Sequence, residues 1–192
     1  MEHDLVLTGP GVRLVPLAPE HAAALAAMVD LDLWRGMGSP LPDSAERMAE
    51  EIVGALRAPD RLAFAVLGDD DEVRGSTSFY DWVPRVPRVE VGHTYYARRW
   101  WGGATNPACK LALLTHAFEA WGCERVALRA DSRNARSIAA IRRLGAQPEG
   151  VLRRHRLSPD GTVADTAYFS VVADEWPTVR AGLLARLAGP SA

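Results

Sequence analysis

Two cysteines and a single lysine stand out in a 192-residue chain that is otherwise rich in arginine. So few thiols rule out a disulfide framework. Cys109 and Cys123 fall near opposite ends of one expected helix, and the fourteen positions between them, at about 1.5 Å each, set them about 20 Å apart, beyond disulfide reach. They read as free thiols of a reducing, cytoplasmic compartment. Long apolar runs are also missing: eighteen consecutive apolar residues occur nowhere, and the opening Met1-Glu-His-Asp4 carries no basic segment, so neither a membrane span nor a secretory leader is expected. Positive charge is not in excess either. With 22 Lys and Arg against 24 Asp and Glu the net charge is -2, which leaves no global basic field to hold nucleic acid or an anionic membrane.

What is present is an ordinary globular composition, 48% hydrophobic and 24% charged, and residues 1–192 read as one domain. A chain of this size buries about 70% of its unfolded surface and needs no staple. Val12 to Leu17 alternates as a strand that Pro16 marks as an edge, and Pro19 opens a helix expected to run through Asp30. Asp43 and Glu46 form a capping-box pattern for a second helix that Pro59 stops. Leu62–Leu67, the acidic turn from Gly68 to Asp71 and Val73–Tyr80 read as a hairpin, followed by a strand from Val89 to Ala97. A long amphipathic helix then leads to Gly122. Strand 125–130, helix 135–144, strands 150–157 and 162–172 and a terminal helix 175–187 complete an α/β (α+β) pattern of about seven strands.

Two strand-to-helix junctions carry the chemistry. Trp101-Gly102-Gly103-Ala104-Thr105-Asn106 leaves a strand and enters a helix, offering backbone N–H groups and the positive helix end to an anion, with Arg98 and Arg99 just upstream. The loop is neither G-x-x-x-x-G-K-[ST] nor G-x-G-x-x-G, so nucleotide hydrolysis and dinucleotide binding lose their usual warrant. The second junction, Asn134-Ala-Arg-Ser137 followed by Arg143-Leu-Gly-Ala146, repeats the arrangement about thirty residues on.

Taken in order, the R-L-V-P-L strand, V-G-x-x-Y, the glycine loop, N-x-x-S, R-L-G-A, E-G-V-L-R-R, P-D-G and Y-F-S-V resemble the Gcn5-related N-acetyltransferase (GNAT) superfamily over nearly the whole chain. The nearest branch is that of the ribosomal-protein serine and alanine N-acetyltransferases. The resemblance implies a GNAT fold, with a mixed central sheet splayed at a cofactor cleft and flanked by helices. It implies acetyl-CoA as cosubstrate, no metal, and a peptide or small-molecule amine acceptor, with no nucleic-acid or membrane partner. Dimers are common in the branch, and a homodimer stays open. The cofactor strand falls on Val91–Ala97, with Tyr95 and Tyr96 as backbone contacts. The family's pyrophosphate pattern, Q/R-x-x-G-x-G/A, falls on Trp101, Gly102, Gly103, Ala104, Thr105 and Asn106, and this chain departs from it at Trp101, Ala104 and Asn106.

The resemblance gives Asn134 a pantetheine contact, although asparagine also suits the cap of the helix at Ala135. It makes Ser137 the acid for the departing thiolate, because the tyrosine that other members use is Ile141 here. Arg142, with Arg143, is placed at the coenzyme's phosphates. The branch's carboxylate base falls on or beside Arg156, so Glu90, which by strand alternation shares a face with Gly92 and Thr94 while His93 faces away, becomes the candidate base, with His155 and Asp165 as alternatives. A protein that keeps the fold and binds acyl-CoA or a small ligand without turnover is the competing reading.

Overall fold

The computed structural model describes residues 3–189. Its centre is an eight-stranded mixed sheet of β1 (Leu7–Gly9), β2 (Val12–Pro16), β3 (Arg61–Leu67), β4 (Val73–Val83), β5 (Arg88–Tyr96), β6 (Arg125–Asp131), β7 (Gln147–Leu157) and β8 (Val163–Val172), in the order β1-β2-β3-β4-β5-β6-β8-β7. Only β5 and β6 run parallel. Six α-helices flank the sheet: α1 (Ala22–Ala26), α2 (Leu31–Trp34), α3 (Ala45–Arg57), α4 (Thr105–Thr115), α5 (Ala135–Leu144) and α6 (Trp176–Leu187).

β3 shows why the sheet is buried on both sides. Phe64 and Val66 enter a core shared with α4, α5 and α6, while Ala63, Ala65 and Leu67 enter a second core with α1, α2 and α3. A continuous apolar run is therefore an alternating strand with two apolar faces. Leu113, Leu114, Phe79 and Leu183 close the first core, and Trp34, Met48 and Ile52 close the second, all essentially inaccessible.

Four local expectations change. Three residues at Leu7 form an extra strand that pairs with β2, so β2 is not the sheet edge; Pro16 is tolerated because β1 covers only Val12–Leu14. The helix expected from Pro19 to Asp30 breaks after α1, because Asp30 caps a separate helix by accepting the Leu33 N–H at 2.9 Å. Ser44, not Asp43, caps α3, its hydroxyl accepting the Arg47 N–H at 3.2 Å, and Asp43 pairs with the Arg47 side chain instead. The long helix of α4 gives way after Thr115 to a π turn, His116–Ala120, which Gly122 ends at φ +62°.

At the centre of the sheet β4 and β5 approach so closely that a Cβ at Gly75 would lie 2.0 Å from the Tyr95 carbonyl oxygen. Neither strand can yield without opening the sheet. Gly75→Ala is expected to lower stability by about 1–3 kcal/mol or more, read as a fall in the urea midpoint.

Candidate active site

β5 and β6 hold together only through Arg88–Glu90 against Arg125–Ala127. Beyond that point β5 stays with β4 as far as Tyr96 and β6 stays with β8 as far as Asp131, so the two strands part. A cleft of about 450 Å³ opens in the gap, walled by the loop into α4, the first turns of α5, the segment after α2 and the end of β7. The side of Val91–Tyr96 that faces the gap has no strand partner. Tyr95 and Tyr96 line the cleft, yet their rings are committed to opposite cores, so their backbone is what they offer to a ligand.

At the mouth, Trp101, Gly102, Gly103 and Asn106 line the cleft, whereas Ala104 and Thr105 do not. Gly102 has φ +76°, a conformation that glycine adopts without strain. Ala104 supplies no side-chain cap to α4, so the first N–H groups of an eleven-residue helix are left for another acceptor. Trp101 holds the loop to the strand by donating its indole N–H to the Tyr96 carbonyl at 2.8 Å. Its ring lies between two guanidiniums, Arg136 at 3.4 Å and Arg98 at 4.8 Å. Arg98 is spent on Asp30 and Asp32. Arg136 has no ion pair among the described residues, so a cation reaches the loop from α5 where the family pattern puts one on the loop itself.

On the opposite wall, Asn134 caps α5 by accepting the Ser137 N–H at 3.0 Å, and both residues line the cleft. The cap and the cleft position coexist. Arg142 does not line the cleft; it points toward the Phe169 ring, 6.0 Å from the centroid, and Arg143 takes the cleft-facing place. The helix turns by 100° per residue, which separates these neighbours.

At the apex the alternation assumed for Glu90 fails. A register shift opposite Thr77 and a φ of +48° at His93 make a bulge, and Gly92, His93 and Thr94 all line the cleft. His93 therefore turns inward instead of away. Glu90 is only 5% exposed, does not line the cleft, and lies 3.4 Å from the Arg129 guanidinium. Tyr80 packs edge-on to His93 at 5.1 Å and Arg129 lies over the Tyr80 ring at 5.0 Å. His155 lines the cleft with its Nδ1 3.1 Å from the Thr166 hydroxyl, and Arg156 spans to the segment after α2 by donating to the Gly36 and Met37 carbonyls. Asp165 is absent from the lining and accepts the Arg154 N–H at 2.7 Å. No cluster able to hold a metal ion occurs among the described residues.

Burial, with Arg61, Arg129 and Arg156 adding repulsion, holds the His93 imidazole down at about 3 and therefore neutral near pH 7. Lys110, the sole lysine, also lines the cleft; burial brings its ammonium down to about 8.

The sequence profile of the acetyltransferase (GNAT) domain matches residues 12–147. An uncharacterized N-acetyltransferase of Bacillus subtilis, YoaA, is 27% identical over 104 residues, which are 54% of this chain and 58% of that protein. The chain thus spans less than two thirds of that relative's length. A crystal structure from T. thermophilus, provisionally described as an acetyltransferase, superposes with a TM-score of 0.90 at 37% identity, covering 97% of this chain and 99% of the other. A GCN5-related N-acetyltransferase from Brucella melitensis gives a TM-score of 0.89 at 25% identity over 98% and 87% of the two chains. Mycobacterium smegmatis RimJ, solved with CoA-disulfide, shares the fold, with a TM-score of 0.78 at 22% identity over 95% and 93%.

The depressed His93 value has a measurable consequence. An unfolded histidine takes up a proton near pH 6.5 and buried His93 does not, so His93 stabilises the fold above that pH and the contribution is lost as pH falls toward 3. Urea titrations between pH 7 and 5 are expected to show stability falling by about 2 kcal/mol more in the parent than in His93→Gln.

Proposed function

The chain belongs to the acetyltransferase (GNAT) family, and on that premise we propose that it transfers the acetyl group of acetyl-CoA directly to a primary amine, either a peptide or protein N-terminus or a small-molecule amine. The observation that carries this reading is the unpaired edge of Val91–Tyr96, set between an uncapped helix N-terminus and the first turn of α5. An extended chain bearing amides at one end and phosphates at the other matches those donors in order. N–H groups at Gly102, Gly103 and the start of α4 would hold the pyrophosphate, with Arg136 and Arg143 as countercharges. The open backbone of β5 would take the pantetheine amides as a neighbouring strand would, and Asn134 would add a side-chain contact.

The cosubstrate supplies an activated acyl group, and the remaining work falls to the chain. Backbone N–H at the His93 bulge polarises the acyl oxygen, since the bulge releases that donor from the ladder. The acceptor must be neutral to attack; His93 and His155 both face the cleft, and His93, held neutral, would accept a hydrogen bond from the attacking nitrogen. Glu90, behind Tyr80 and paired with Arg129, then acts as a positioning residue for this apex. Ser137, on the facing wall, donates its hydroxyl proton to the leaving sulfur. Both cysteines are buried and free, and Cys109 is raised to about 11 chiefly by burial, so an acyl-cysteine route has no ready nucleophile. No helix of the described residues is long and apolar enough to cross a membrane, and the two free thiols suit action in a reducing cytoplasm.

A thiol-release assay with acetyl-CoA against peptides, polyamines and aminoglycosides tests the reaction; coenzyme binding without release toward any acceptor would favour a binding protein instead. Gly102→Val forces a β-branched residue to φ +76° and is expected to weaken coenzyme binding about tenfold, measured by calorimetry on a folded variant. Ser137→Ala is expected to lower turnover about a hundredfold with coenzyme affinity little changed. Turnover equal to the parent would reduce the hydroxyl to a lining group.

A further inference from the structure

Lys110 is 6% exposed, yet it belongs to the wall of the cleft and not to the interior of α4's packing. Its Nζ donates to the Thr94 hydroxyl at 3.2 Å, and that hydroxyl is shared with Thr77 at 2.8 Å. Two ammonium protons are left over. No carboxylate pairs with Lys110 among the described residues; the ionisable neighbour is Cys109, whose buried thiol stays protonated. A buried ammonium without countercharge is costly to keep, and it sits here in a chain that uses arginine at every other basic position.

Its depth in the cleft narrows what it faces. The mouth is marked by Trp101 bonded to Tyr96, and the apex by the last β5–β6 pair at Glu90. Thr94 lies between them, next to the His93 bulge, and Lys110 is six residues beyond Ala104, about 9 Å along α4 from the N–H groups at the phosphate end. On the acetyl-CoA reading, an arm laid along β5 from the loop to the His93 bulge passes Thr94 with its distal, sulfur-bearing half, and no phosphate reaches that point. The acyl oxygen carries charge only while the tetrahedral centre lasts and faces the backbone donor at the bulge; sulfur is the atom left with a full negative charge once the C–S bond breaks.

We propose that Lys110 is the electrostatic partner of the coenzyme sulfur, a catalytic residue that holds the departing thiolate as an ion pair. The inference rests on the acetyl-CoA reading above. The bond changes close without a further reactant. The acceptor nitrogen forms its bond to the acyl carbon, the C–S electron pair goes to sulfur, and the sulfur is held against the ammonium. Ser137 passes its proton to that sulfur and is restored by the proton that the acceptor nitrogen sheds. A countercharge at this point favours the transition state over the bound thioester, which carries no charge on sulfur.

The test reads the bound thiol directly. Free coenzyme A is titrated on the protein and followed by its ultraviolet thiolate absorbance, in parallel with calorimetry of coenzyme A, S-methyl-coenzyme A and acetyl-CoA. The parent is expected to lower the bound thiol's pKa by about one unit or more, as an opposite charge within a few ångströms does. Lys110→Met, which keeps length and removes charge, is expected to return that pKa to the free value. It should weaken coenzyme A about tenfold more than the two thioether or thioester forms. An unshifted thiol in the parent overturns the assignment whatever the variant does. So does an equal loss for all three ligands in Lys110→Met, which would assign the lysine to a carbonyl of the arm. If the parent binds none of the three, the acetyl-CoA reading itself fails, which is a separate outcome from binding with an unshifted thiol.

Discussion

The parting of β5 from β6 after Glu90 and Ala127 is the constraint on which the rest of the molecule depends. A sheet loses backbone hydrogen bonds where two neighbouring strands separate, and buried N–H and C=O groups left without partners cost free energy. The separation persists because each strand is held more firmly on its other side. β6 keeps seven residues in register with β8, and β5 is pinned to β4 where Gly75 lets the Tyr95 carbonyl come close. The two cores anchor opposite faces of these strands, so closing the gap would mean repacking both.

The bulge at His93 belongs to the same solution. An extra residue on β5 interrupts its register with β4 just beyond the last β5–β6 pair, and His93 and Thr94 both line the gap there. One backbone irregularity thus sets the width of the cleft, the position of the imidazole and the hydroxyl that orients Lys110. The Arg156 bridge to Gly36 and Met37 adds a second brace, tying β7 to the segment after α2 across the opening.

Much of this was legible in the residues, and the parts that were not share a cause. The glycine turn, the Asn134 cap and the strand that became β5 follow from short-range signals, namely turn chemistry, capping and alternation, and the structure has a turn, a cap and a strand at those positions. Alternation misplaced Glu90 and His93 because it holds only while the ladder is regular, and nothing in Val-Glu-Val-Gly-His-Thr states that it breaks. Arg142 and Arg143 read alike in the sequence, which gives no helix phase; packing on Phe169 turns Arg142 out of the cleft and leaves Arg143 in its lining. Arg136 and Lys110 carried no local signal at all. Each matters through a partner distant in sequence, Trp101 for one and Thr94 for the other, and the one available hint was that a chain of arginines keeps a single lysine. The extra strand β1 is three residues long, below the length at which a periodic pattern can be read.

Charge completes the same logic. The molecule is slightly acidic overall, and several of its carboxylates stand in ion pairs away from the cleft: Asp30 and Asp32 with Arg98, Asp71 with Arg13, Glu72 with Arg99, Glu149 with Arg125. Along the cleft the balance inverts. Asp131 is the one carboxylate in its lining and is taken up by Arg133, while Lys110, Arg136 and Arg143 have no ion pair among the described residues. Pairing elsewhere and exclusion of acids here give a net negative chain a positive groove, bounded by low-dielectric walls that weaken its screening. Arg136 and Arg143 set that positive charge in the cleft wall. Deeper in, Arg129 is taken up by Glu90 and Arg156 by the Gly36 and Met37 carbonyls, which leaves Lys110 as the cation there that is held by a hydroxyl alone.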